Sequence, residues 1–139
     1  CGYFVSAVLI DVGFRVDRVK LAQRPSSLIV RTFSEKEYIY REIGTPYSDY
    51  FVNLEEKLSD ALYIVGLDNH TGFIQIKDGK RIFTHANPYA FARYVVSQDI
   101  DEVFTHLTVS NWKEVGKLFT DSMLKKWLLG ETFEVRMKK

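Results

Sequence analysis

Four side chains in this sequence have the types and spacing to do chemistry together: Cys1, His70, His85 and Asn87. Cys1 is the only cysteine in the 139 residues and opens the stretch Cys1 to Phe14. There Phe4, Val5, Val8, Leu9 and Val12 recur at helical spacing and Ser6 and Asp11 fall off the stripe, which predicts a helix driven into a core. Gly13 stands where such a helix needs a left-handed residue to end. The cysteine thus lies at a helix N-terminus, where backbone N–H groups and the helix dipole favour an anion such as a thiolate. The dipole supplies only about 0.3–1 kcal/mol, less than one pKa unit. A reactive thiol therefore requires a basic partner as well. A cysteine at this position also fits a chain that merely begins there, or a lipid-anchored one, but an anchor is ordinarily followed by a polar linker and not by a core helix.

The partner comes from the segment around Lys77-Asp78-Gly79-Lys80. Asp-Gly between two runs of strand-forming residues is the strongest short hairpin signal. A two-residue turn on Asp78-Gly79 pairs Lys77 with Lys80, Ile76 with Arg81, Ile74 with Phe83, Gly72 with His85 and His70 with Asn87. Side chains alternate along a strand, so His70, Gly72, His85 and Asn87 share one face. Asn87 falls directly across from His70 and His85 on the diagonal, both within reach. Gly72 leaves room between them. An imidazole with a second polar group beside it has the geometry of an oriented general base.

The other candidates read more plainly. His106 has no such company and is expected to be structural or exposed. Trp112 is expected in the core, and Tyr3, Tyr38 and Tyr40 to pack. Cys1, His70 and His85 are ligand types for zinc, but no fourth ligand stands at a recognisable spacing, so no metal or other cofactor is expected.

Composition narrows the class. Nineteen basic against eighteen acidic residues leave a net charge of +1, which gives no electrostatic reason to expect nucleic acid. The chain is 46% hydrophobic and 27% charged, ordinary for a globular protein, and its length suits one domain over residues 1–139. One cysteine excludes an internal disulfide framework. No apolar run approaches the ~18 residues of a membrane span.

The elements that must position these residues follow from the patterning. After Gly13, residues 14–22 read as an irregular connection or short strand. Ser26 or Ser27 caps a short helix through Ile29, Val30 and Phe33. Tyr38 to Tyr40 read as extended, and Gly44-Thr45-Pro46 breaks the chain. Ser48 or Asp49 starts a helix carrying Phe51, Leu54 and Leu58. Ala61 to Leu67 is a buried strand and Asp68-Asn69 a turn. The hairpin follows and is ended by Pro88; residues 89–110 have no clean period. Lys113 to Phe119 reads as a strand, Thr120 or Asp121 caps a last helix through Met123, Leu124, Trp127 and Leu128, and Arg136 to Lys139 should fray. Helical segments, then a largely antiparallel sheet, then a closing helix make an α+β plan.

Cys1-x-x-Phe4-Val5, His70-Thr71-Gly72-Phe73-Ile74 and Phe83-Thr84-His85-Ala86 together resemble the NlpC-type cell-wall peptidases of the papain-like cysteine peptidase superfamily. That family shows a Cys-Ser-Gly-Phe-Val helix start, a His-Val-Gly-Ile strand and an Ile-His-Ala returning strand, in the same order. The resemblance covers about a fifth of the chain. It implies a papain-like fold, with an N-terminal nucleophile helix packed on a mainly antiparallel sheet and further helices. It also implies hydrolysis of an amide with Cys1 as nucleophile, His70 as base and His85 as orienter, Asn87 being the alternative. Gly2-Tyr3 stands where the family has Ser-Gly, and the residues that precede the family's nucleophile are not in this sequence. A free ammonium at a helix start is also unfavourable. The natural chain is therefore expected to be longer and this one a cut or processed form.

Two functions follow as expectations. The first is a cysteine-dependent peptidase or amidase acting on a peptide or a peptidoglycan-like substrate, for which the resemblance implies a secreted or periplasmic setting. The second is a catalytically silent papain-like domain that binds a peptide or protein partner in the same cleft.

Overall fold

The computed structural model describes residues 2–44, 58–86, 95–99 and 112–138. Cys1, Asn87, Pro88, His106, the greater part of the helix expected after Ser48 or Asp49, and nearly all of residues 89–110 lie outside the described residues.

The first helix, α1, spans Gly2–Asp11 and buries Val5 and Leu9, with Phe4 and Val8 packed against the same core. Gly13 (φ 103°) ends it as expected, and the chain turns back through Phe14 N–H donating to Leu9 O at 3.0 Å. Two details depart from the stripe. Val12 is half exposed, whereas Ser6 is fully buried. The hydroxyl of Ser6 donates to Gly2 O (2.8 Å) and also lies 3.1 Å from Tyr3 O, which removes the penalty for burying it.

Residues 14–22 hold more structure than expected. Arg15–Val16 is a two-residue strand, β1, parallel to a short C-terminal strand, and Arg18–Ala22 is a helix, α2, capped by Asp17 accepting from Lys20 N–H at 2.9 Å. The expected third helical segment, α3, is Ser26–Phe33. Its N-cap residue is Pro25, not either serine. Ser26 instead sends its hydroxyl to Leu67 O, a bond between the helix start and the sheet. After a single 3-10 turn at Lys36–Tyr38, strand β2 runs over Ile39–Ile43, so Tyr38 is not extended but Tyr40 is.

Strand β3 (Ala61–Leu67) has the expected bounds, and β4 (Thr71–Lys77) and β5 (Lys80–Ala86) each lie one residue from the expected 70–76 and 81–87, closer to the turn. The register set by Asp78-Gly79 is observed: Lys77 pairs with Lys80, Ile76 with Arg81 and Ile74 with Phe83. Both turn residues take positive φ, 50° and 77°, the signature of the primed turn that matches strand twist. Strand β6 is Val95–Asp99 and β7 is Trp112–Lys117. β7 starts one residue early and stops before Phe119, whose left-handed φ of 56° breaks the extended run. Trp112, expected in the core, is only half-buried, its ring 5.0 Å from the Arg41 guanidinium. The closing helix, α4 (Asp121–Leu129), has Thr120 as its cap and ends at Gly130; β8 (Thr132–Phe133) pairs with β1. Val135 is buried and Arg136 N–H donates to Thr32 Oγ1 at 3.0 Å, so the tail is tied down further than expected.

Among the described residues, six strands form one antiparallel sheet in the order β2-β7-β3-β4-β5-β6. The architecture is α+β. Helices α1 and α3 cover one face, burying Ile64 and Phe73 with Val5, Leu9, Ile29 and Val30. The residues that alternate with these, Tyr63, Val65, Ile74, Phe83 and Val115, form a second buried cluster on the other face. Burial on both faces explains why β3 reads as a continuous apolar run. Among the described residues, no helix is long and apolar enough to cross a membrane.

Candidate functional site

His70 closes the tight connection between β3 and β4. Its carbonyl accepts from Leu67 N–H at 2.8 Å, and Asp68 Oδ1 pins the same turn from outside by accepting from Trp112 N–H at 2.8 Å. The next residue, Thr71, is buried and donates its hydroxyl to Val65 O at 2.7 Å. The backbone that carries His70 is therefore held on three sides. His85 sits in β5, two residues from Phe83, on the same face of the strand.

The structure brings the two histidines together. His70 Nε2 lies 2.8 Å from His85 Nδ1, with ring centroids 4.8 Å apart and planes nearly perpendicular at 89°. His85 stacks on Phe83 (centroids 4.3 Å, 19° between planes), and His70 meets the edge of the same ring at 6.2 Å. His70 and His85 are 4% and 1% exposed, so the imidazole–imidazole hydrogen bond is not diluted by water. Gly72 is what allows the approach. A Cβ there would fall 2.7 Å from Thr84 O and 3.0 Å from both His85 Cβ and the Phe83 ring.

The bond fixes the chemistry open to His70. With Nε2 turned to His85, His70 can meet a proton donor only through Nδ1. If His70 carries its proton on Nε2 and donates it to His85 Nδ1, its own Nδ1 presents a lone pair and acts as a base. When Nδ1 then takes a proton, the charged ring keeps the same bond to His85, now strengthened by charge. A second histidine placed this way couples its own tautomer to that of the first and steadies the first once charged.

Two helices and a turn meet the histidine pair at one end of the sheet. Phe4 packs edge-on against Phe73 (5.9 Å, 76°), which seats the start of α1 beside β4. The start of α1 lies so close to the end of α2 that a Cβ on Gly2 would fall 2.6 Å from Ala22 O. Gly2, Ala22, Arg24, Ser26, Asp68 and His70 border one recess of about 190 Å3. Cys1 and Asn87, the expected nucleophile and the alternative orienter, lie outside the described residues, as does His106. Gly2, the neighbour of Cys1 in the chain, borders the recess together with His70. Among the described residues, no three His, Cys, Asp or Glu side chains gather in a group that would hold a metal.

A larger groove of about 930 Å3, lined by Arg31, Lys36, Arg41, Glu114, Lys126 and Arg136 among others, shares no residue with this recess, and neither histidine lines it. Three features escape sequence reasoning. Arg24 enters the recess only because α2 ends against α1. Lys113 and Glu114 lie fully buried on β7, and Glu114 pairs with Arg31 Nε at 3.0 Å. Burial lowers the pKa of Lys113 from its usual 10.5, opposed by the nearby charges of Asp68 and Glu42. Two consecutive charges inside a strand were the available signal that one of them must face each core.

No family model, no curated protein and no solved structure matches this chain.

Proposed function

We propose that this protein is a cysteine-dependent amide hydrolase of papain-like plan, with Cys1 as nucleophile, His70 as general base and His85 as the group that orients His70. The observation that carries the reading is the buried 2.8 Å bond between His70 Nε2 and His85 Nδ1, which leaves Nδ1 as the ring nitrogen of His70 turned away from His85. The start of α1 at Gly2 and the histidine border the same recess, which is where the preceding thiol would have to act. Support also comes from the order of parts, a nucleophile helix before a histidine hairpin.

In this reaction the Cys1 thiol gives its proton to His70 Nδ1, and the thiolate attacks the amide carbonyl. His70 returns the proton to the leaving nitrogen as the C–N bond breaks, which leaves a thioester. Water then loses a proton to His70 and attacks the thioester, and the proton passes back to sulfur as the acid is released. His85 takes no proton in any step; it holds the tautomer and steadies the imidazolium. The test is turnover of a panel of peptide amides, cell-wall stem peptides among them, by wild type and by Cys1→Ser and His70→Ala. Cleavage by the wild type that both variants lose supports the reading. Cleavage that survives Cys1→Ser sinks it.

A further inference from the structure

We infer that Arg24 reads a carboxylate on the substrate, so that the amide cut beside His70 belongs to an acidic peptide or acyl-amino acid. The inference rests on the hydrolase reading for the word substrate, but the binding claim stands on its own geometry. Arg24 follows the end of α2, its backbone N–H donating to Leu21 O at 3.0 Å, and precedes Pro25, the cap of α3. Three fixed contacts hold that connection: the close approach of Gly2 to Ala22, the Pro25 cap and the bond from Ser26 to Leu67 O. The guanidinium is therefore carried on a rigid rim of the recess that His70 also borders.

What singles out Arg24 is that no acid among the described residues pairs with it. Its Nε is buried without a hydrogen-bond partner, and among the described residues the guanidinium forms no ion pair. Asp68 borders the same recess, but its Oδ1 accepts from Trp112 N–H and no ion pair joins it to Arg24. A half-buried cation without an ion-pair partner among the described residues costs free energy that an anion bound beside it recovers. A planar carboxylate is the natural complement of a guanidinium fork. A recess of about 190 Å3 has room for a carboxylate and the few atoms that join it to the amide, but not for a large acidic polymer.

The direct test titrates Cys1→Ala protein with N-acetylglycine and with the neutral N-acetylglycinamide, following the imidazole resonances of His70 and His85. The carboxylate should bind about tenfold more tightly, and Arg24→Gln should erase that preference while Arg24→Lys keeps part of it. Equal binding of the two probes, or a preference that Arg24→Gln leaves intact, overturns the inference. A companion measurement separates it from the reaction: labelling of Cys1 by iodoacetate and by iodoacetamide. Inertness toward both reagents counts against the nucleophile while the titration still decides Arg24. A reactive thiol whose preference for the anionic reagent falls about tenfold in Arg24→Gln supports both claims.

Discussion

At the scale of single residues, the site depends on the hydrogen bond between His70 and His85 and on Gly72, the small residue that permits it. Cys1→Ser and His70→Ala should each abolish turnover; denaturant unfolding alongside the assay should show a loss of about 1–3 kcal/mol for His70→Ala, which takes a buried partner from His85. His85→Ala should cost less, roughly 10–1,000-fold in kcat, because an orienting group sets tautomer and angle without itself exchanging the proton. A silent His85→Ala with a damaging Asn87→Ala would transfer the orienting role to Asn87. Gly72→Ala should lower stability by about 1–3 kcal/mol and impair the histidine pair, since the new methyl meets Thr84 O at 2.7 Å before it meets anything that can yield. This part of the site was legible in the sequence. A turn of defined type fixes the register, the register fixes which side chains share a face, and the Asp78-Gly79 pair gave both. What it did not give is Phe83 as the platform under His85, because which ring stacks on which depends on rotamers and not on alternation.

At the scale of elements, α1 and β7 carry the predictions. Gly2→Ala would drive a Cβ into Ala22 O, and backbone cannot swing aside as a side chain can. The expected result is a loss of about 1–3 kcal/mol together with weaker binding in the recess, because α1 and α2 part where Arg24 is held. On β7, Lys113 has a folded-state pKa below its unfolded value near 10.5. The unfolded chain therefore binds more protons in the window just below 10.5, and stability should rise with pH there. Below the folded-state pKa both states are protonated, and the burial penalty is present in full. Lys113→Met should flatten this rise, which chemical denaturation between about pH 8 and 10.5 would reveal; an unchanged slope would mean that another group titrates. Elements with a long period or a strong turn were readable, as α1, β3 and the β4–β5 hairpin were. The five-residue helix α2 was not, since it is too short to display a period and its only mark is the Asp17 cap. Ser6 is polar by type and so falls off the apolar stripe of α1, but its local bond to Gly2 O lets the hydroxyl go inside.

At the scale of the whole molecule, the sheet has a buried cluster on each face, and the candidate site lies at one end of β4 where α1, the α2–α3 connection and the β3–β4 turn converge. The insertion of β7 between β2 and β3 was beyond sequence reasoning, because nothing local records which distant strand a run will pair with. The same holds for Arg24: a lone basic residue before a proline carries no motif, and only the packing of α2 on α1 brings it to the recess that His70 borders. The claim on which everything else rests is that His70 lowers the pKa of the Cys1 thiol, and the rate of Cys1 alkylation by iodoacetamide as a function of pH measures it directly. The rate should already be near its plateau below about pH 7 and move to a midpoint near the ordinary thiol value of ~8.5 in His70→Ala. A wild-type midpoint at ~8.5 that His70→Ala leaves where it is would contradict that claim.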